Sequence, residues 1–184
     1  MTSPKESTIR CACGQVEFRF VGKPILTTVC HCDDCQRASA ELEKLPHAPK
    51  TLDVAGGTAY VMYRRDRIVC AKGHPLLQDR RTEGEPFTKR VIASCCHSPL
   101  YLDFEKGHWL SVFRDRFGDQ APRVQMRTQT RYVPAEVEIP NDAPHFRTYS
   151  LGFMARLIGS KIAMDLSHRS KKGDPDHDNP PARA

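Results

Sequence analysis

Six residues, Cys30-His31-Cys32-Asp33-Asp34-Cys35, place three thiols at the spacing of a metal chelate. A Cys-x-x-Cys pair turns back on itself, so both sulfurs can reach one ion at about 2.3 Å. Cys30 stands two positions before Cys32, and side chains two apart share a face of an extended backbone. Three thiolates from one short loop fill three positions of a tetrahedral zinc and leave the fourth unassigned. An open fourth position marks catalytic zinc, whereas a ligand from elsewhere would close the site into a structural knuckle. The spacing is compatible with both.

The remaining thiols suggest a second site. Cys11 and Cys13 sit beside Gly14, and Cys95 and Cys96 are adjacent. Four thiols from two distant segments would close a loop of about eighty residues, where metal-binding free energy becomes folding free energy. Adjacent thiols chelate one ion less comfortably than Cys-x-x-Cys, so Cys95 or Cys96 could be a spectator, with His97 an outside ligand. Cys70 lies in an apolar run and reads as a small buried hydrophobe. Were it to reach the Cys30 group, that site would become a closed four-cysteine centre. The expectation is Zn2+, two per chain.

These loops need strands to hold them. Val16, Phe18 and Phe20 alternate with Gln15, Glu17 and Arg19, the pattern of a half-buried strand. Residues 25–29 form a second β-rich run leading into the three-thiol loop. Ala38, Leu42 and Leu45 have helical spacing over Gln36–Leu45, and Pro46 and Pro49 end that helix. The segment 52–58, Leu-Asp-Val-Ala-Gly-Gly-Thr, signals a strand and turn. Short strands follow at 59–63, 68–70, 91–93, 100–104 and 108–113, and β structure is expected to recur through Ile139. Leu151, Met154, Ala155, Ile158 and Ile162 mark an amphipathic helix over 149–164. Arg64, Arg65, Arg67, Arg80, Arg81, Lys89 and Arg90 form a basic stretch, either a charged hairpin edge or a rim for an anionic ligand.

At 184 residues with 39% hydrophobic content, one domain is expected over 9–166. A loose polar start over 1–8 and a disordered polar tail over 167–184 would flank it. No apolar run approaches the roughly eighteen residues of a membrane span, and residues 1–10 lack the apolar core of a signal peptide. The expectation is a cytoplasmic protein, where a reducing milieu favours metal over disulfides for the eight cysteines. A net charge of +6, from 28 basic and 22 acidic residues, is mild. Without basic-aromatic alternation, nucleic acid is not an expected partner.

In order, Cys-x-Cys-Gly-x-Val at Cys11–Val16, Cys-x-Cys-x-x-Cys at Cys30–Cys35 and Cys-x-x-Pro-Leu at Cys96–Leu100 resemble the glutathione-dependent formaldehyde-activating enzyme family, which includes the domain of centromere protein V. The resemblance covers roughly residues 8–150. Cys-Asp-Asp-Cys-Gln, Leu-Asp-x-x-Gly-Gly-Thr and Ala-Ser-Cys-Cys-x-x-Pro-Leu are more narrowly similar to a subfamily without an assigned function. The resemblance implies a mainly β, zinc-stapled β-tent fold with short helices and a C-terminal helix. It implies a structural zinc held by Cys11, Cys13 and the Cys95/Cys96 segment, and a catalytic zinc held by Cys30, Cys32 and Cys35. The implied activity is that of a carbon–sulfur lyase on a small thiol adduct, S-hydroxymethylglutathione in the family. Where the family carries Cys-x-x-Cys-Gly, this chain has Ala93-Ser94-Cys95-Cys96-His97. That departure alters the structural knuckle and leaves the three-thiol loop intact.

Three functions compete. The first is the zinc lyase, with the basic stretch meeting substrate carboxylates. The second is a zinc-stabilised binding module for protein or nucleic acid. The third is a thiol redox switch using Cys70 and Cys95-Cys96. The fourth partner of the Cys30 loop discriminates them: a small molecule favours the enzyme, and Cys70 favours the scaffold.

Overall fold

Alternation along the chain divides each strand between two faces, and the computed structural model, which describes residues 6–172, stacks three layers accordingly. The central layer is a seven-stranded sheet of β3 (Leu26–Cys30), β4 (Thr58–Arg64), β6 (Leu77–Arg80), β7 (Thr88–Ala93), β8 (Ser98–Phe104), β9 (Trp109–Phe113) and β10 (Met126–Thr128). Its order is β10-β3-β4-β9-β8-β7-β6, antiparallel except where β10 runs parallel to β3. A three-stranded sheet, β1 (Glu6–Arg10), β2 (Glu17–Val21) and β5 (Ile68–Lys72), covers one face. Ile9, Phe18 and Phe20 from it pack on Val61, Tyr63, Leu100 and Val112 of the large sheet.

The neighbouring residues in those strands point the other way. Tyr60, Ile92 and Phe113 cluster with Cys30, Cys35 and Leu42 beneath α1 (Asp33–Glu43). Leu26, Met62 and Met126 cluster with Phe153 and Leu157 of α2 (Leu151–Lys172). Period-two alternation thus sends one set of side chains into the inter-sheet core and the next set beneath the helices.

Several elements differ from the sequence expectation. Glu6–Thr8, in the start expected to be loose, pair with Arg19–Val21 as part of β1. β6 was not signalled, and beyond β9 the only strand among the described residues is β10. α1 begins three residues earlier than its apolar spacing suggests. Cys32 caps it in extended conformation, and Asp33 and Asp34 suit the positive end of the helix dipole. The C-terminal helix runs to Lys172, past the expected end of the domain, and the tail over 173–184 lies outside the described residues. Its buried side chains are Phe153 and Leu157, while Leu151, Ile158 and Ile162 of the expected apolar face are exposed. Two residues one helical turn apart suffice to dock it. Ser160 Oγ adds a hydrogen bond with His108 Nε2 at 2.6 Å.

A buried network holds the three-thiol loop from behind. His31 is fully buried, with Nδ1 facing the Ala55 carbonyl and Nε2 facing Arg127 Nη1, both at 3.3 Å. Those partners assign the proton to Nδ1 and let Nε2 accept from the guanidinium. Burial pushes the His31 pKa down, which keeps the ring neutral. Arg127 also donates to Asp53 Oδ2 at 2.6 Å and to Asp142 Oδ1 at 2.7 Å. Asp53 Oδ1 in turn accepts from the backbone N–H groups of Ala55 and Gly57 at 2.9 and 2.7 Å. The Leu52–Thr58 turn is therefore a strap over His31.

Gly57 is required by close approach. A Cβ there would stand 2.5 Å from both His31 Cε1 and Val29 Cγ1. Gly57→Ala is expected to destabilise the chain by about 1–3 kcal/mol, the usual penalty for overpacking. Denaturant unfolding measures it. An unchanged midpoint would mean that His31 is not clamped by this turn.

Candidate active site

The structure gathers seven of the eight cysteines into two groups, in each of which all sulfurs lie within 4.8 Å of one another. Cys11, Cys13, Cys95 and Cys96 form the first. Cys11 follows β1, and the backbone turns back at Gly14, whose N–H donates to the Cys11 carbonyl at 3.0 Å with φ at +76°. Cys95 and Cys96 lie in the β7–β8 turn. The cluster therefore joins the small sheet to the large one. Its sulfurs approach at 3.5 Å (Cys11–Cys13), 3.8 Å (Cys11–Cys95), 3.3 Å (Cys13–Cys95) and 3.9 Å (Cys95–Cys96).

Those distances test whether a metal fits. Four sulfurs about 2.3 Å from a tetrahedral zinc stand about 3.8 Å apart, and the observed range brackets that edge. Both adjacent cysteines are in the group, so neither is a spectator by position. For Cys96, burial acts to raise the pKa, but hydrogen bonds from the Ser98 hydroxyl and the Cys13 and Ser98 backbone prevail and lower it to about 6. His97 lies outside the group. Its Nδ1–H points at the Pro46 carbonyl, 2.8 Å away. Its φ of +52° is left-handed, a conformation that glycine adopts freely and other residues seldom take.

Cys30, Cys32 and Cys35 form the second group, with Cys30 and Cys32 sulfurs 3.4 Å apart. Cys30 ends β3, Cys32 caps α1 and Cys35 lies in the first helical turn. Thiol hydrogen bonds from Cys30 and Cys35, aided by the Cys35 backbone N–H, pull Cys32 down to about 3, well below an ordinary thiol. Hydrogen bonding to Cys32 pushes Cys30 up to about 12. The lowered pKa favours the thiolate at Cys32, the state that binds metal. Tyr60 is buried and its pKa is pushed well up, by burial first and then by Cys35; its hydroxyl donates to Cys35 Sγ at 3.8 Å.

Cys70 does not belong to either group. It lies in β5, across from Phe18 in the three-stranded sheet, with Sγ 3.4 Å from the Lys72 carbonyl. It is only partly buried, because β5 is an edge strand of that sheet.

The three-thiol group opens instead on a cavity of about 430 Å³ between the large sheet, α1 and α2. That volume falls within the range of small-molecule sites, about 300–1,000 Å³. Asp34 reaches the cavity from α1, whereas Asp33 is 73% exposed and His31 is sealed behind the loop. Arg90 and Glu85 are the other charged residues of the wall. Arg90 is 1% exposed and forks onto Glu85 through Nη1 and Nη2. Sequence spacing gave no sign of this pair, since its members sit five residues apart around a turn.

The basic stretch does not form a rim. Arg64 pairs with Asp66, Arg65 with Asp103, Arg81 with Glu105 and Lys89 with Asp79. Within the stretch from Arg64 to Arg90 only Arg90 lines the cavity, and it is paired with Glu85.

A mainly β scaffold carries one thiol cluster between its sheets and a second lining a cavity, and either cluster could hold a metal ion. A family model described as glutathione-dependent formaldehyde-activating enzyme matches residues 6–130, well over half of the chain. The chain belongs to that family, and its mainly β architecture with helices on one face is the fold the cysteine motifs led us to expect. A crystal structure of a Rhodobacter sphaeroides protein is similar at 15% identity and a TM-score of 0.46, covering 63% of this chain and 92% of that one. No curated protein sequence matches. No helix among the described residues is long and apolar enough to cross a membrane.

Glu85→Ala would leave Arg90 buried without its counter-charge. The expected loss is about 3 kcal/mol of unfolding free energy, because breaking one half of a buried pair strands the other. Removing both charges, as Glu85→Leu with Arg90→Met, should recover most of it. Equal destabilisation by the single and double variants would show that the pair itself contributes net stability.

Proposed function

We propose that this chain is a zinc-dependent carbon–sulfur lyase-like enzyme that makes and breaks the bond between a small thiol and an aldehyde carbon. Cys30, Cys32 and Cys35 hold the catalytic ion, and Cys11, Cys13, Cys95 and Cys96 hold a structural one. The observation that carries this reading is the position of the three-thiol group at the cavity, with Cys70 in the other sheet. Membership of the formaldehyde-activating family supports it, and glutathione is the thiol in that family's description.

In the forward direction the thiol sulfur bonds to the carbonyl carbon and the thiol proton ends on the carbonyl oxygen. Cleavage is the reverse, and neither direction needs an oxidant or reductant. Bound zinc supplies Lewis acidity and a place for a thiolate beside the electrophile. The chain's own contribution is placement. The start of α1 and the end of β3 bring the sulfurs together, Tyr60 orients Cys35, and the helices shield the reacting groups from water. The residues of the second cluster act at a distance, by tying the sheets together. Eight free cysteines suit a reducing compartment, and we assign the protein to the cytoplasm.

The two clusters should respond differently to mutation. Cys13→Ser removes a ligand that joins the sheets, and losing a structural zinc removes on the order of 10 kcal/mol, as much as a domain's whole stability. Poor yield and a collapsed melting transition are expected. Cys32→Ser breaks a loop closed within six residues. That variant should stay folded, bind one zinc fewer than the parent chain, and lose acceleration of thiol–formaldehyde exchange followed by NMR with labelled formaldehyde. If Cys32→Ser unfolds the chain as thoroughly as Cys13→Ser, the three-thiol site is structural and the enzymatic reading fails.

A further inference from the structure

The cavity beside the three thiols is walled by Met62, Leu102, Phe104, Trp109, Phe153 and Leu157. The charged groups facing it are Asp34, Glu85 and Arg90; Asp34 pairs with Arg37 Nη2 at 2.9 Å and Glu85 pairs with Arg90, so the wall holds no free cation. Three thiolates around a divalent ion would add one negative charge. Arg90 offers no free charge to a carboxylate, because Glu85 occupies both of its terminal nitrogens. Only its Nε–H is buried without a partner among the described residues. Such a wall offers an anion no free counter-charge and accepts apolar surface.

We propose that the thiol taken by this chain has an uncharged, apolar body rather than the charged body of glutathione. Glutathione carries two carboxylates and an ammonium, so seating it here would desolvate charges with no partner to receive them. An aryl or branched alkyl thiol buries its body against the aromatic and aliphatic wall while its sulfur reaches the cysteine cluster. This inference rests on the thiol–aldehyde reading above, and it concerns which thiol is used.

Trp109, the chain's one tryptophan, lies in the wall and supplies a readout independent of turnover. Its fluorescence in the zinc-loaded protein is to be titrated with phenylmethanethiol, with ethylbenzene as the sulfur-free isostere, and with glutathione. Cobalt-substituted protein, followed by its thiolate absorption, reports sulfur reaching the metal. The expected result is a dissociation constant for phenylmethanethiol at least tenfold below that for glutathione, with ethylbenzene also perturbing Trp109. Equal or tighter glutathione binding would overturn the inference, as would a Trp109 signal that no apolar probe moves. If phenylmethanethiol and ethylbenzene bind alike and no thiol alters the cobalt spectrum, the apolar cavity stands and the thiol–aldehyde reading falls.

Met154→Arg provides the converse test. Met154 lines the cavity from α2 and is 43% exposed, so a charged side chain there can reach solvent and leave the fold intact. The substitution should tighten glutathione and weaken phenylmethanethiol, shrinking their ratio several-fold. A folded variant with an unchanged ratio would overturn the claim that wall charge selects the thiol.

Discussion

Sulfur atoms 3.3–3.9 Å apart repel strongly once they ionise, and this chain is arranged to hold seven of them in two such groups. Without a cation the protons must be shared unevenly, which is why Cys32 is driven low while Cys30 and Cys35 are driven high. A divalent ion relieves that frustration in one step. Much of the architecture around the clusters serves to keep the sulfurs converged despite their repulsion. The His31–Arg127–Asp53 network backs one loop, and Gly14 and the left-handed His97 shape the turns of the other.

The two clusters share a chemistry and differ in what surrounds them. The Cys11 group lies where the small sheet meets the β7–β8 turn, so its ligands come from segments more than eighty residues apart in sequence. A metal ion held there would tie the two layers together. The Cys30 group draws its ligands from one strand end and one helix start, and it borders empty volume rather than another layer. Surroundings and connectivity, not the type of side chain, distinguish the two groups.

Much of this was legible in the sequence because the cysteines are local signals. Three thiols in six residues specify a loop, and Val16, Phe18 and Phe20 specify a strand face without knowledge of its partner. Long-range facts were not legible. Apolar spacing could not tell that Cys70 belongs to the smaller sheet, nor that α2 docks through Phe153 and Leu157 and leaves Leu151 and Ile162 outside. The arginines misled for a related reason. Each reads as free charge along the chain, yet Arg65 meets Asp103 only after β9 sets β8 beside β4, and Arg81 meets Glu105 only after β7 sets β8 beside β6.

Within that basic stretch only Arg90 reaches the cavity, and Glu85 meets it there. A family resemblance carried by cysteines describes the ligands of the metal, and those are set by loop geometry. Selection among thiols belongs to the walls, which come from β4, β8, β9 and α2 and share no motif with the loop. His31 and Arg127, which secure the loop, lie outside those walls. Tyr60 is where walls and sulfurs meet, since it lines the cavity and its hydroxyl donates to Cys35 Sγ.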